Sequence, residues 1–183
     1  GAAERANIGY MLADIGMKEK AIAIFKQLSE GKPFASDEVR QALYLMGDQP
    51  QPIYVEWMVG RARAAAGDDQ AGWVNYLTGI GQGPRAAELY QENGAPMNSA
   101  QIQAFIEAFS AAHDTKRMAQ LLEHELQHAE SAEQVKKYAQ LAEQENLSDE
   151  ALQAWKRAYA LNPEDKEANR ALGVAAYDHN RYA

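Results

Sequence analysis

Cysteine is absent from the 183-residue chain. That excludes a disulfide framework, a cysteine zinc site and a thiol nucleophile, and it fits a periplasmic or a cytoplasmic setting equally. Basic residues are few: 18 Lys and Arg stand against 26 Asp and Glu, for a formal net charge of −8. A nucleic-acid partner normally calls for a basic face, so none is expected. Apolar runs stay far short of the roughly 20 residues that span a bilayer, so no direct membrane insertion is expected, and no signal peptide opens the chain. Val and Ile are sparse and nothing alternates with period two for long, which leaves no basis for a sheet. Gly79, Gly81 and Gly83 with Pro84 lack the strand and the Lys-Ser/Thr of a phosphate-binding loop. No nucleophile elbow is present, and no cofactor is called for.

What remains is an alanine-rich, all-helical pattern with 46% hydrophobic residues, ample for a core. Its clearest stretch is Ala132–Asp165, two helices at Ala132–Glu145 and Ser148–Leu161. Ala151, Trp155 and Ala158 place small, large and small side chains on one helix face. Pro163 then stops the ladder and pushes Asn162 toward extended backbone.

This stretch resembles a tetratricopeptide repeat, a 34-residue helix–turn–helix unit. Ala151, Trp155, Ala158 and Pro163 stand at the family's characteristic positions, and Leu172-Gly173 match those of the next unit. Residues 2–35 fit the same pattern through Ile8-Gly9, Gly16, Ala21, Phe25 and Pro33, with Leu28 where a small residue is preferred. Gly16 suits a turn that needs positive φ. Residues 53–86 fit it through Val59-Gly60, Gly67, Gly72, Tyr76, Gly79 and Pro84, with glycine in place of alanine. Between these units lie less regular helices. Ser36-Asp37-Glu38 reads as a capped helix start, closing near Gly47 before the breaker cluster Asp48–Pro52. A short helix over Pro84–Glu92 closes at Asn93-Gly94-Ala95-Pro96. Asn98 caps a helix with Ile102, Phe105, Ile106 and Phe109 on one face, and Asp114-Thr115 turn into a helix striped by Met118, Leu121, Leu122 and Leu126. Residues 166–183 read as the first helix of a further repeat with only the beginning of its second, so the chain is expected to be cut from a longer protein.

The resemblance implies one right-handed superhelical solenoid, partly degenerate, that binds a protein partner and does no catalysis. In such arrays first-helix positions line the inner groove. They correspond here to Tyr54, Trp57, Arg61, Ala64 and Ala65, to Glu133, Lys136, Gln140, Glu143 and Gln144, and to Glu167, Arg170, Val174, Tyr177 and Asp178. Tyr54, Trp57, Arg61, Lys136, Gln140, Arg170 and Tyr177 are the candidate partner-binding residues. Tyr54 and Trp57 one turn apart, with Arg61 beyond, suit protein or sugar, whereas the strip containing Lys136 reads as polar and solvated. The basic pattern that clamps a C-terminal carboxylate in chaperone-binding repeats is not reproduced. The degenerate Ala-, Gln- and Gly-rich character resembles the periplasmic repeat regions of bacterial exopolysaccharide export proteins. That likeness implies docking of a periplasmic polysaccharide-modifying enzyme in biofilm secretion. Guidance of the polysaccharide itself, or a cytoplasmic assembly role, is the alternative.

One string has enzyme-like spacing, His124-Glu125-Leu126-Gln127-His128, the pattern of zinc proteases. Histidines at i and i+4 share a helix face, with the glutamate as general base. A third ligand is required, and Glu143 and Glu145 are candidates by position alone. On an amphipathic helix the string reads as a chance match, so no metal site is assigned. His113 and His179 sit at predicted helix ends, where an imidazole meets free carbonyls.

Overall fold

A computed structural model describes residues 1–91 and 97–182, and it divides the chain into two compact units, Gly1–Ala111 and Ala112–Ala183. Among the described residues there are eleven α-helices and no strand. The first unit holds α1 (Ala2–Asp14), α2 (Lys18–Leu28), α3 (Asp37–Met46), α4 (Pro52–Ala64), α5 (Gly67–Gly79), α6 (Gly83–Ala87) and α7 (Ser99–Ala111). The second holds α8 (Thr115–His128), α9 (Ala132–Gln144), α10 (Ser148–Leu161) and α11 (Lys166–Tyr182). The predicted close at Asn93–Pro96 lies outside the described residues, and α6 is shorter than the helix expected from Pro84 onward.

Three of the connections are the same device. Gly16, Gly81 and Asn146 adopt left-handed φ of +80°, +78° and +59°. The next amide reaches back to close the preceding helix: Met17 to Leu12, Gln82 to Leu77 and Leu147 to Ala142, each N–H donating over 2.8 Å. This is the Schellman closure, in which a residue of positive φ lets the chain satisfy the last carbonyls. Glycine takes that conformation without strain, and asparagine tolerates it better than most residues. The link between α4 and α5 differs, because Ala65 and Ala66 are both extended.

Alternate helices recur evenly along the chain. Those beginning at Ala2, Asp37, Gly67, Ser99, Ala132 and Lys166 follow one another at 35, 30, 32, 33 and 34 residues.

Helix starts are set by local side chains. Asn98 Oδ1 accepts from the Gln101 amide at 2.9 Å while Gln101 Oε1 accepts from the Asn98 amide at 3.1 Å, a reciprocal capping box. The box is tied to α5, since Asn98 Nδ2 donates to Asp68 at 2.8 Å and Gln101 Nε2 donates to Gln70 at 2.7 Å. Asp114 caps α8 by accepting from the Arg117 amide at 3.1 Å. Ser36 is a correction: it holds the cap position of α3 with extended backbone, yet its side chain makes no capping bond and its Oγ has no partner. Aspartates and glutamates in the first turn leave that helix favoured by the dipole.

The core of the second unit follows the expected pattern. Ala151, Trp155 and Ala158 are buried on α10, and Trp155 Nε1 donates to Glu143 at 2.7 Å. The stripes of α7 and α8 are buried as predicted. In the first unit Gly9 sits under Phe25, where a Cβ would come within 2.7 Å of the ring.

Over 53–86, α4 and α5 pack on each other, but two glycines expected at packing positions face outward. Gly60 and Gly79 are exposed with open space around them. Val55, Met58, Val59 and Ala62 form the buried face of α4, and Ala71, Trp73, Val74 and Leu77 that of α5. The larger side chains took the inside because each buried isoleucine-sized group outweighs a glycine in apolar area. Gly72 has another function: Phe34, from the segment before α3, lies where its Cβ would stand, 2.5 Å from the ring. Phe34 also meets Trp73 edge-on, with centroids 5.0 Å apart. Finally, α11 runs unbroken to Tyr182, so the expected beginning of a second helix does not occur. Ile8 and Met11 of α1 and Ile15 just after it are exposed.

Candidate functional site

Tyr54, Trp57 and Arg61 do share one flank of α4, and all three are half-buried. Their surroundings are set by α2. Lys26, from that helix, holds its ammonium 5.7 Å from the Tyr54 ring and 5.5 Å from the Trp57 ring. Both distances lie within cation–π reach. Trp57 stands edge-on to the buried Trp73, centroids 5.5 Å apart at 89°.

Arg61 has a different place from the ligand-facing charge expected of it. Its Nη1 donates to the Ser29 carbonyl at 2.8 Å, and its Nη2 donates to the Lys32 carbonyl. Its guanidinium also lies 5.7 Å from Trp57 and 5.3 Å from Trp73. Ser29 is fully buried, and its Oγ donates to the Lys26 carbonyl at 2.7 Å. Arg61 therefore closes the C-terminal end of α2, where free carbonyls and the dipole favour a cation. It is a clamp.

Two adjoining cavities run between α2 and α4 and share Glu19, Ile22 and Tyr54. One, of about 530 Å³, is walled by Met17, Met46, Gln49 and Gln51 as well. The other, of about 430 Å³, reaches Lys26, Gln27, Glu30 and Trp57. Together they form an amphipathic groove with an apolar floor, amide groups and two aromatic rings. Lys18, Lys20 and Lys26 border it, and none has a carboxylate within ion-pair distance among the described residues. Sequence reasoning missed these lysines because spacing along α2 alone reads as a solvated face.

In the second unit, Lys136 corrects the expectation of a solvated strip. It is 9% exposed, and its ammonium lies 2.8 Å from Glu133, 2.9 Å from Asp165 and 3.2 Å from Glu167. Hydrogen bonds to Asp165, Glu133 and Glu167 hold the ammonium protonated well above the ordinary lysine range. Asp165 is correspondingly held below the usual carboxylate range, first by Lys136 and then by the Ala168 and Glu167 amides. Asp165 thus caps α11 and ties it to α9. Gln140, Arg170 and Tyr177 are exposed, Tyr177 at 66%, in contrast to Lys136. Glu143 is engaged by Trp155.

On α8, His124 and His128 are exposed with ring centroids 4.8 Å apart. No group of three or more His, Cys, Asp or Glu side chains is arranged around a common point among the described residues. His113 takes a left-handed φ of +55°, and the side chain of His179 lies outside the described residues. No described helix is long and apolar enough to cross a membrane. Comparison with protein-family models, curated proteins and solved structures gives no match for the chain.

Proposed function

We propose that the chain is a non-catalytic docking scaffold made of repeated helix pairs, and that an extended acidic segment of a partner protein seats between α2 and α4. The observation that carries this reading is the groove itself. It brings Tyr54 and Trp57 together with three lysines that, among the described residues, have no carboxylate within ion-pair distance and outnumber the two lining glutamates, Glu19 and Glu30, on a chain whose net charge is −8. Aromatic anchors beside unneutralised cations suit a peptide carrying carboxylates. Gln27, Gln49 and Gln51 supply donors and acceptors for its backbone.

The even recurrence of alternate helices supports a tetratricopeptide-like array. The helices that pack as neighbouring hairpins, α1 with α2, α4 with α5 and α9 with α10, fall in the stretches 2–35, 53–86 and 132–165, which supports the repeat reading of those stretches. Stacking of the solenoid kind within each unit is the arrangement we infer. On the likeness to export-protein repeats, a periplasmic polysaccharide-modifying enzyme is the partner class to test first.

The test is an array of acidic peptides, with hits titrated by tryptophan fluorescence. Saturable binding weakened at least tenfold by Lys26→Glu, and unchanged by Lys116→Glu on α8, supports the reading. Absence of saturable binding, or binding indifferent to Lys26→Glu, sinks it. A polysaccharide-guiding surface is the second reading, because the same two rings also suit a sugar; oligosaccharides titrated in the same assay separate the two.

A further inference from the structure

We infer that His124 and His128 form a two-histidine chelate for a late first-row divalent ion such as Zn²⁺ or Ni²⁺. The argument begins with the protons. His124 Nδ1 lies 3.2 Å from Glu125 Oε1, and His128 Nδ1 lies 2.8 Å from the His124 carbonyl oxygen. A carboxylate and a carbonyl have no hydrogen to give, so in both contacts the ring nitrogen is the donor. In the neutral imidazole the proton then resides on Nδ1, and Nε2 carries the lone pair. Both rings are thereby fixed in the tautomer that ligates through Nε2. A carboxylate or carbonyl accepting from the far nitrogen is also the outer support that histidine ligands ordinarily have.

The spacing fits as well. Residues four apart stand one above the other on a helix. Two nitrogens bound at about 2.0–2.1 Å to one ion are at most about 4 Å apart. Ring centroids 4.8 Å apart, with planes 35° from one another, are compatible with that separation. The rings are on the exposed side of α8, His124 with 68% of its side chain accessible, so an ion has a path to them. Two protein ligands leave the remaining positions to water or to donors from a second protein. Imidazole suits Zn²⁺, Ni²⁺ and Cu²⁺, while Mg²⁺ and Ca²⁺ require oxygen donors.

This chelate is distinct from a zinc-protease centre. Glu125, which would be the general base, is the residue that fixes the His124 ring. The ion would bridge the last turn of α8 and link the stability of the second unit to metal supply.

The experiment is calorimetric titration of the untagged full chain at neutral pH with Zn²⁺ alone and Ni²⁺ alone, together with thermal melts. Saturable uptake of one ion per chain, or of one per two chains if a second copy completes the shell, is expected for each metal. It should be lost in His124→Gln and in His128→Gln, and the melting temperature should rise by several degrees with metal in the wild type only. Both histidines are exposed, so the variants should keep the wild-type circular dichroism. No saturable uptake, uptake retained by either variant, or equal uptake of Mg²⁺ overturns the inference.

Discussion

Arg61 donates across 2.8 Å to the carbonyl of Ser29, joining α4 to the far end of α2. The contact spans 32 residues of chain and involves a charge held between two tryptophans. Replacing Arg61 with alanine leaves the Ser29 and Lys32 carbonyls without that donor. A loss of about 1.5–3 kcal/mol in denaturant unfolding is expected. Arg61→Lys should recover little of it, because a single ammonium does not reproduce the planar fork. Full recovery by lysine would contradict the clamp.

Two glycines at matching repeat positions should respond in opposite directions. Gly9→Ala drives a methyl to 2.7 Å from Phe25 and should destabilise by about 1–3 kcal/mol. Gly173→Ala lies within α11 in open space and should stabilise by about 0.5–1 kcal/mol through helix propensity. Chemical denaturation of the two variants decides both signs.

Asn98→Ala removes one half of a reciprocal cap and leaves Gln101, which is 7% exposed, short of a partner. The expected cost is about 1–2 kcal/mol. Amide hydrogen exchange should accelerate first in the opening turn of α7. Unchanged exchange there would mean that the cap is dispensable.

The pH response of the second unit follows from Lys136 and Asp165. Asp165 has a lowered pKa in the fold, so its contribution is present above the unfolded value of about 4 and is lost as pH falls through the lower folded value. Lys136 has a raised pKa, so its contribution is complete below about pH 10 and fades only as pH rises through the folded value. The melting-temperature gap between wild type and Asp165→Asn should therefore be steady from about pH 5 to 9 and close in acid. A gap of the same size at pH 3 would falsify the pairing.

The legible part of this fold was whatever neighbours in sequence decide. Gly16 announced its turn, Pro163 its helix end, Asn98 its cap, Asp114 a turn, and Ala151, Trp155 and Ala158 their buried face. The illegible part depended on side chains that travel. Arg61 and Lys136 are long enough to find carbonyls or carboxylates some thirty residues away, so their exposure cannot be read from helical position. Phe34, from an irregular segment, occupies the space beside Gly72, an insertion that no helical period announces. Glycine at Gly60 and Gly79 looked like a packing signature, but glycine also tolerates solvent, and Met58, Trp73 and Leu77 fill the interior instead. Of the candidate groove, Tyr54 and Trp57 were visible and Lys26 was not.

The three matched turns at Gly16, Gly81 and Asn146 each take three residues, while other joints differ, the one between α4 and α5 being two extended residues. A turn closed by two fixed hydrogen bonds has no room for an added residue, whereas an extended joint absorbs one. Length variation among natural versions of this chain should thus collect at the joints, with the turns kept at constant size. The joint at Ala65-Ala66 is then the natural place for an engineered insertion.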